Sequence, residues 1–340
     1  MTDPVATPAA PGETDAELAT RLAVQAGRLL VDLRADLFGR GAPPWQVMDN
    51  GDLASHRFLL DELRTARPED AVMSEEGLED ARRFGTDHCW IVDPLDGTNE
   101  FGEYGRVDWA VHVALWSHGR LTAGAVSLPA LGLVFSTEPA SAVPSVERQR
   151  PLLITSRNRN PYSAVVVARA LDCDAVRLGS AGAKAMAVVM GEADVYVHDG
   201  GMYQWDSAAP AAVALAAGLH ASRLDGSPLV YNERDPWLPD FVICRPELAD
   251  PVLEALRAGR DAARAFYPGL SADACSAVAL PLAAAEIADD DALAWLDVDE
   301  LADADGLDPD LVLDALAAAW DQRARACAEP LPTPRRGTSP

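Results

Sequence analysis

Apolar residues recur at helical spacing in two segments of the first third of the chain. The first segment predicts a helix over residues 14–38, with Thr14 or Asp15 available as the N-cap. The second predicts a helix over residues 52–65 that ends before Pro68. In both segments the apolar positions fall three or four residues apart, so we expect one face of each helix to pack against a core.

The pattern changes to alternation between residues 71 and 137, which predicts β-strands. The sequence AVMSEEG, residues 71–77, is typical of a short strand that runs into an acidic turn. WIVD, residues 90–93, predicts a second strand, and residues 108–137 predict two or three paired strands with a turn at residues 118–119. Together with the two helices, these strands predict an α+β unit.

Strands and helices alternate between residues 152 and 218, which is typical of an α/β unit. From residue 263 the chain is rich in Ala, Leu and Asp and predicts helices without a strand. The pattern therefore predicts five parts: a disordered N-terminus over residues 1–13, an α+β domain over 14–137, an α/β domain over 138–262, a small helical appendage over 263–328 and a disordered tail over 329–340.

Composition argues against several classes of function. The formal net charge of −25 argues against nucleic-acid binding, which depends on clustered Lys and Arg. Apolar residues make up 49% of the chain, and no run approaches the roughly 18 apolar residues of a membrane span. Five scattered cysteines without CxxC spacing predict neither a zinc site nor disulfides, and the N-terminus lacks a secretory pattern. We therefore expect a cytoplasmic protein that binds neither nucleic acid nor membrane.

Lysine is nearly absent from this chain, although basic residues are not. Of the 28 basic residues, Lys184 is the single lysine. A lysine ammonium is a compact point charge whereas arginine presents a planar fork, so a site shaped for one need not accept the other. Lys184 is therefore a candidate for chemistry, with a chance surface lysine as the alternative.

Two aspartates are crowded into a turn at the end of the strand in the sequence WIVDPLDGTNEF. Asp93 and Asp96 flank this turn, and we expect the carbonyl group of Leu95 to point the same way as their carboxylates. Mg²⁺ prefers such oxygen ligands, usually beside a substrate phosphate. Gly97 and Thr98 then begin a helical turn whose N–H groups and hydroxyl suit a phosphate. The motif predicts a metal site beside a phosphate site, and a well-capped turn is the simpler alternative.

Other acidic residues lie at the ends of predicted elements. Glu75 and Glu76 follow a strand, where two like charges repel each other unless a cation lies nearby. Asp206 and Asp52 each lie at the start of a predicted helix, where each also suits an N-cap. Each acid has a simple alternative when taken singly. Considered together with the aspartates of the DPLDGT turn, they are better explained by a shared metal cluster.

The motifs SEEG, DPLDGTNEF, GSAGAK and WDSAAP occur in the order and at the spacing of one known family. Over residues 15–262 the chain resembles the inositol monophosphatase superfamily of Mg²⁺-dependent phosphatases. The resemblance implies a layered αβαβα sandwich of the sugar-phosphatase type, in which α+β and α/β units enclose the site between them. It also implies that two or three Mg²⁺ ions support hydrolysis of a phosphate monoester by an activated water.

The resemblance assigns roles to the residues that match the family motifs. The implied metal ligands are Glu75, Asp93, the carbonyl group of Leu95, Asp96 and Asp206. The implied catalytic residues are Glu75 and Thr98, which position the attacking water, and Asp52, which is associated with a further metal. The implied substrate contacts are Gly97, Thr98, Ser180, Ala183, Lys184 and Asp206.

The lysine at the end of GSAGAK resembles the 3'(2'),5'-bisphosphate nucleotidase branch, which removes the 3'-phosphate of 3'-phosphoadenosine 5'-phosphate. A second phosphate needs its own cation, and Lys184 near a helix N-terminus is expected to supply it. Inositol monophosphatase or fructose-1,6-bisphosphatase activity is the enzymatic alternative. A nucleotide-binding or metal-binding relative that acts through its C-terminal helices is the non-enzymatic alternative. The family resemblance also implies a homodimer.

Three further residues fit either a site or an ordinary structural role. Arg106 and Arg157 are candidates to meet substrate phosphate, yet both equally fit a solvated surface. His112 lies on an alternating strand, where a place within the sheet is more typical than a role as a base.

Overall fold

The computed structural model describes residues 12–77, 80–157 and 162–266 of the 340-residue chain. The predicted disordered N-terminus, as far as residue 11, lies outside the described residues. So do the predicted tail and all but the first four residues of the predicted helical appendage. None of the described helices is both long enough and apolar enough to cross a membrane.

The first sheet contains five strands in chain order. They are β1 (Ala71–Ser74), β2 (His88–Asp96), β3 (Ala110–Ser117), β4 (Arg120–Leu128) and β5 (Leu133–Ser136). β1 pairs with β2 in parallel, and the other neighbours are antiparallel. The turn between β3 and β4 lies at His118 and Gly119, both with positive φ, as the sequence predicted.

Two long helices cover one face of this sheet, α1 (Asp15–Gly39) and α2 (Pro44–Ala66). A capping box begins α1, because Thr14 Oγ1 accepts a hydrogen bond from the Glu17 amide and the Glu17 carboxylate accepts one from the Thr14 amide. Fully buried apolar side chains of α1, such as Leu22, pack on apolar side chains of the sheet, such as Trp90. The helix predicted over residues 14–38 is therefore confirmed.

The second helix begins earlier than its predicted start at Asp52. Pro44 occupies the first position of α2, where a missing N–H costs nothing. Asn and Gly side by side, as at Asn50 and Gly51, are typical of a turn between elements. Here the glycine is needed inside the helix, because a Cβ on Gly51 would lie 2.6 Å from Phe101 Cε1. Gly51 therefore serves close packing within the helix. Asp52 lies inside α2, and the N-cap alternative for this residue is wrong.

The second sheet has the strand order β10-β12-β8-β6-β7. Its strands are β6 (Leu152–Ser156), β7 (Asp174–Leu178), β8 (Val195–His198), β10 (His220–Ser222) and β12 (Phe241–Cys244). β9 (Met202–Tyr203) and β11 (Trp237–Leu238) form a separate antiparallel pair. β7 and β8 both run parallel to β6, so the carboxyl ends of these three strands lie at the same edge.

The remaining helices complete the layers. They are α3 (Thr98–Gly102), α4 (Tyr162–Ala170), α5 (Ala181–Val189), α6 (Gln204–Ala216) and α7 (Pro246–Phe266). α5 and α6 lie between the two sheets and contact strands of both, whereas α4 and α7 pack on the far face of the second sheet. The order of layers is helix, sheet, helix, sheet, helix, so the predicted αβαβα sandwich is confirmed. α7 continues past residue 262, where the sequence placed a boundary.

Close packing of α6 on the first sheet depends on a glycine. A Cβ on Gly124, in β4, would lie 2.8 Å from the Cβ of Ala212, and neither group can rotate away. We expect Gly124→Ala to lower the free energy of unfolding by about 1–3 kcal/mol through overpacking. Equilibrium denaturation measures this change.

The matched control is Gly39→Ala at the end of α1, because a Cβ there meets nothing within 4 Å. We expect that variant to be as stable as the wild type or more stable by up to about 1 kcal/mol. Equal stability of the two variants would contradict the packing argument.

Candidate metal centre and active site

The carboxylates of three aspartates from two layers of the fold lie close together. Asp93 and Asp96 lie at the end of β2, and Asp206 is the third residue of α6. One carboxylate oxygen from each lies within 4.8 Å of the others. Two negative charges at this distance repel by on the order of 3–4 kcal/mol per pair in protein surroundings. Such a cluster is stable when protons or a cation neutralise it.

Asp93 is the most deeply buried member of this cluster. It is 1% exposed, and its Oδ1 accepts a hydrogen bond of 3.0 Å from the Leu95 amide. Its Oδ2 is buried without a hydrogen-bond partner, which is costly for a carboxylate oxygen. Burial raises the pKa of Asp93 well above its ordinary value, and the charges of Glu75 and Asp96 raise it further. A cation that contacts Oδ2 would remove both costs, so the site fits a metal.

Glu75 lies on the exposed side of the cluster, after the end of β1. Loss of hydration raises the pKa of Glu75 to about 7, and the charges of Asp206 and Glu76 contribute. Burial likewise raises the pKa of Asp206 to about 6, with a contribution from Asp96. A bound cation would therefore compete with protons for these carboxylates.

Asp96 has the opposite electrostatic environment. Its Oδ1 accepts a hydrogen bond of 3.0 Å from the Ala181 amide, and its Oδ2 accepts one of 2.6 Å from the Gly182 amide. The Ser180 hydroxyl also donates to Oδ2. These donors form the N-terminus of α5, which favours an anion. Asp96 thus joins the first sheet to the helix layer.

The imidazole of His112 lies close to the carboxylates of Asp93 and Asp96. It is fully buried on β3 opposite Asp93, its Nε2 lies 3.2 Å from Asp96 Oδ2 and its Nδ1 lies 3.2 Å from the Trp205 carbonyl oxygen. Burial raises the pKa of Asp96, but the nearby charge of His112 and the hydrogen bond from the Ser180 hydroxyl outweigh it, so the net shift is downward. Burial lowers the pKa of His112, yet Asp96 raises it above its ordinary value. The sequence placed His112 within a sheet, and the structure adds its contact with the acids.

Thr98 and Asp52 form a second polar group beside the cluster. Thr98 Oγ1 lies 3.0 Å from the Leu95 carbonyl oxygen and 3.2 Å from Asp52 Oδ1. Burial raises the pKa of Asp52 to about 7, and the charge of Glu76 adds to it. Gly97 precedes Thr98 with a φ of +87°, a conformation that favours glycine. The structure therefore brings all the predicted acids and Thr98 into one region.

The predicted substrate contacts in the GSAGAK motif have other partners in this structure. Ser180 accepts a hydrogen bond of 2.9 Å from the Ala183 amide, which caps α5, besides donating to Asp96. Ala183 is buried in the hydrophobic core. Ser180 therefore acts here on the helix and on Asp96.

Lys184 does not face open solvent in this structure. It is 4% exposed, and its Nζ donates hydrogen bonds of 2.6 and 2.8 Å to the carbonyl oxygens of Gly179 and Ser180. Burial lowers its pKa to about 8, although the charge of Asp96 opposes this shift. The chance-surface alternative is wrong. The expected direct contact with a second phosphate has no geometrical support, because the ammonium holds the turn before α5.

Comparison with known proteins agrees with this architecture. The model of the inositol monophosphatase family matches residues 16–258. The chain belongs to the inositol monophosphatase family. The matched range ends at residue 258, before residues 267–340, which lie outside the described structure.

Individual relatives of this inositol monophosphatase family member are also informative. The 3'-phosphoadenosine 5'-phosphate phosphatase of Mycobacterium leprae is 47% identical over 261 residues, which cover 72% of this chain and 94% of that protein. The 3'(2'),5'-bisphosphate nucleotidase CysQ of Escherichia coli K12 is 32% identical over 205 residues, 56% of this chain and 82% of that protein. The crystal structure of CysQ from Bacteroides thetaiotaomicron has a TM-score of 0.58 at 25% identity, covering 69% of this chain and 98% of that one.

Replacement of Lys184 separates a positioning role from direct substrate contact. We expect Lys184→Met to lower the free energy of unfolding by about 1–3 kcal/mol, because two buried carbonyl groups lose their charged donor. Hydrolysis of phosphate esters with one or two phosphates should then fall by similar factors. Denaturation and steady-state kinetics measure the two effects. A loss confined to substrates with two phosphates would instead support the direct contact expected from the sequence.

The raised pKa values of Glu75 and Asp206 make stability depend on pH. In the metal-free protein these acids keep protons that the unfolded chain releases above its ordinary values of 4.5 and 3.8. Their contribution to the free energy of unfolding therefore falls as pH rises from about 4 through about 7. Because Mg²⁺ removes the repulsion, we expect it to raise Tm more at about pH 8 than at about pH 5.5.

Thermal unfolding with and without Mg²⁺ at both pH values tests this expectation. The matched variant is Asp93→Asn, which removes one charge from the cluster and should reduce the pH dependence. An equal effect of Mg²⁺ on the wild type at the two pH values would contradict the assigned cluster.

Proposed function

We propose that this protein is a Mg²⁺-dependent phosphomonoesterase that hydrolyses the 3'-phosphate of 3'-phosphoadenosine 5'-phosphate to give AMP and phosphate. The observation that carries the proposal is the convergence of Asp93, Asp96 and Asp206, in which Asp93 Oδ2 is buried without a hydrogen-bond partner. The substrate is supported by the 47% identity to a relative named as a phosphatase of that nucleotide. The role that follows is removal of a by-product of sulfur assimilation.

The donor set supports Mg²⁺ as the cofactor, with two or three ions. Carboxylate and carbonyl oxygens are the ligands that this ion prefers, and the described part of the cluster offers no cysteine. The proposed ligands are Glu75, Asp93, the Leu95 carbonyl oxygen, Asp96 and Asp206. When bound, Mg²⁺ supplies Lewis acidity that lowers the pKa of water and neutralises phosphoryl charge.

The residues of the chain position the water and the phosphate. The Thr98 hydroxyl directs its proton towards the Leu95 carbonyl oxygen or Asp52, so a lone pair of Oγ1 remains for an attacking water. Glu75 lies on the exposed side of the same group and is proposed to accept a proton from that water. Gly97 and Thr98, at the start of α3, are proposed to contact the phosphate. Substrate contacts of Ser180, Ala183 and Lys184 stay predictions.

The cellular compartment and the oligomeric state each depend on a single observation. The described cysteines, Cys89, Cys173 and Cys244, are all free and buried, which is compatible with a reducing compartment. We propose a cytoplasmic location on this basis. The homodimer implied by the family resemblance stays a prediction.

Two alternatives have less support. Inositol monophosphatase or fructose-1,6-bisphosphatase activity uses the same acids, but the more similar relatives carry the nucleotide name. A non-catalytic protein that binds nucleotide or metal through this fold would not need Thr98 aligned with Asp52 beside the cluster.

A substrate panel tests the proposal. Purified protein with Mg²⁺ should release phosphate from 3'-phosphoadenosine 5'-phosphate faster than from inositol 1-phosphate or fructose 1,6-bisphosphate. Asp93→Asn should reduce kcat by at least about 100-fold, because it removes a charge from the proposed metal site. Release of phosphate is measured directly, with EDTA-treated protein as the control. A preference for inositol 1-phosphate would overturn the proposed substrate, and no turnover of any ester would favour the binding protein.

A further inference from the structure

A substrate with two phosphates needs a cation besides the metal centre, and Lys184 is directed elsewhere. Its Nζ is buried against two backbone carbonyl groups. Among the described residues, Arg106 and Arg157 are the cations that the sequence left open between substrate contact and a solvated surface. Their contacts in the structure distinguish these alternatives.

Arg106 and Arg157 each have one buried acidic partner. Arg106 Nε donates a hydrogen bond of 2.8 Å to Asp108 Oδ1, and Arg157 Nη2 donates one of 2.8 Å to Glu100 Oε1. Asp108 and Glu100 are 4% and 3% exposed, so each guanidinium is fixed from the protein side. Neither arginine is simply solvated.

Both guanidinium groups also approach a third acid, Glu103. Arg157 contacts it through two parallel hydrogen bonds, Nη1 to Oε2 at 3.1 Å and Nη2 to Oε1 at 2.7 Å. Arg106 Nε lies 3.9 Å from Glu103 Oε2. The Glu103 carboxylate therefore occupies the position of an anion held by two arginines, and the paired contact has the geometry with which arginine binds phosphate.

Glu103 is held much less firmly than the two buried acids. Its side chain is 50% exposed, and ion pairs of such exposed carboxylates contribute little to stability. A phosphate dianion carries more charge than a carboxylate and offers more acceptor oxygens. Replacement of Glu103 by a phosphate would leave Glu100 and Asp108 in place to orient the arginines.

This anion position is next to the candidate active site. Glu100 and Glu103 follow Thr98 within the same short stretch. Arg157 follows β6, and its amide donates a hydrogen bond of 3.0 Å to the Leu178 carbonyl oxygen, two residues before Ser180. Ser180 in turn donates to Asp96 of the metal cluster. These contacts connect the anion position to the metal cluster through residues 178–180.

We propose that Arg157, assisted by Arg106, binds the second phosphate of a bisphosphorylated substrate in place of the Glu103 carboxylate. Arg157 is then the residue that distinguishes esters with two phosphates from those with one. The inference rests on the proposed function for the identity of the substrate.

The experiment compares KM for 3'-phosphoadenosine 5'-phosphate with KM for adenosine 3'-monophosphate, which lacks the second phosphate. We expect Arg157→Gln to raise KM for the bisphosphate about 10- to 100-fold and to leave that for the monophosphate nearly unchanged. Glu103→Gln removes the competing carboxylate, so it should lower KM for the bisphosphate about two- to tenfold. Arg157→Lys should restore only part of the loss, because lysine lacks the fork.

Arg150→Gln is the matched control, since Arg150 forms exposed ion pairs with Asp172 and Asp174 away from this position. It should leave both KM values unchanged. Equal effects of Arg157→Gln on both substrates, or a higher KM for the bisphosphate in Glu103→Gln, would overturn the inference. Failure of the wild type to hydrolyse either nucleotide would instead overturn the proposed function, and fructose 1,6-bisphosphate against fructose 1-phosphate then tests Arg157 separately.

Discussion

The structure depends on acids that are held closer together than their charges favour. Asp93, Asp96 and Asp206 come from two different layers, yet oxygen atoms of all three lie within 4.8 Å of one another. Packing of α6 on the first sheet and the hydrogen bonds at the N-terminus of α5 impose this arrangement. The free energy of folding therefore maintains an electrostatic strain that a cation relieves, and this is how a scaffold prepares a metal centre.

The four acids divide this task unequally. Asp96 is saturated by donors and has a lowered pKa, so it fixes the geometry between layers. Asp93, Glu75 and Asp206 have raised pKa values, so they are the groups whose protonation a bound cation would change most. His112 Nε2 lies 3.2 Å from Asp96 Oδ2, and its charge stabilises the Asp96 carboxylate. Asp96 therefore fixes the geometry of the site before a cation binds, and the other three acids remain able to change their protonation when it does.

The sequence predicted the layers and the acids well, because both depend on local signals. Alternation identified the strands, and the motif of Asp93 and Asp96 carries its turn residues with it. Local sequence signals failed where a contact with a distant part of the chain determines the structure. Pro44 is a local signal for the start of α2, but Gly51 inside the helix obscures it, because only the close approach of Phe101 explains a glycine there.

The same limit explains what was missed in the candidate site. A buried ammonium and a surface ammonium look alike in sequence, so the contacts of Lys184 with backbone carbonyl groups could not be foreseen. The convergence of Arg106 and Arg157 on Glu103 joins residues more than fifty positions apart. Such pairings depend on which strand ends share an edge, and that became visible only with the order of the second sheet.

The central claim is that the acid cluster binds divalent metal. Crystals grown with Mn²⁺ in place of Mg²⁺ test it most directly, because anomalous scattering locates the ion without assumptions about activity. We expect a peak roughly 2.0–2.5 Å from oxygen atoms of Asp93 and Asp206, including Asp93 Oδ2. Anomalous density elsewhere in the molecule and none beside these carboxylates would contradict the account.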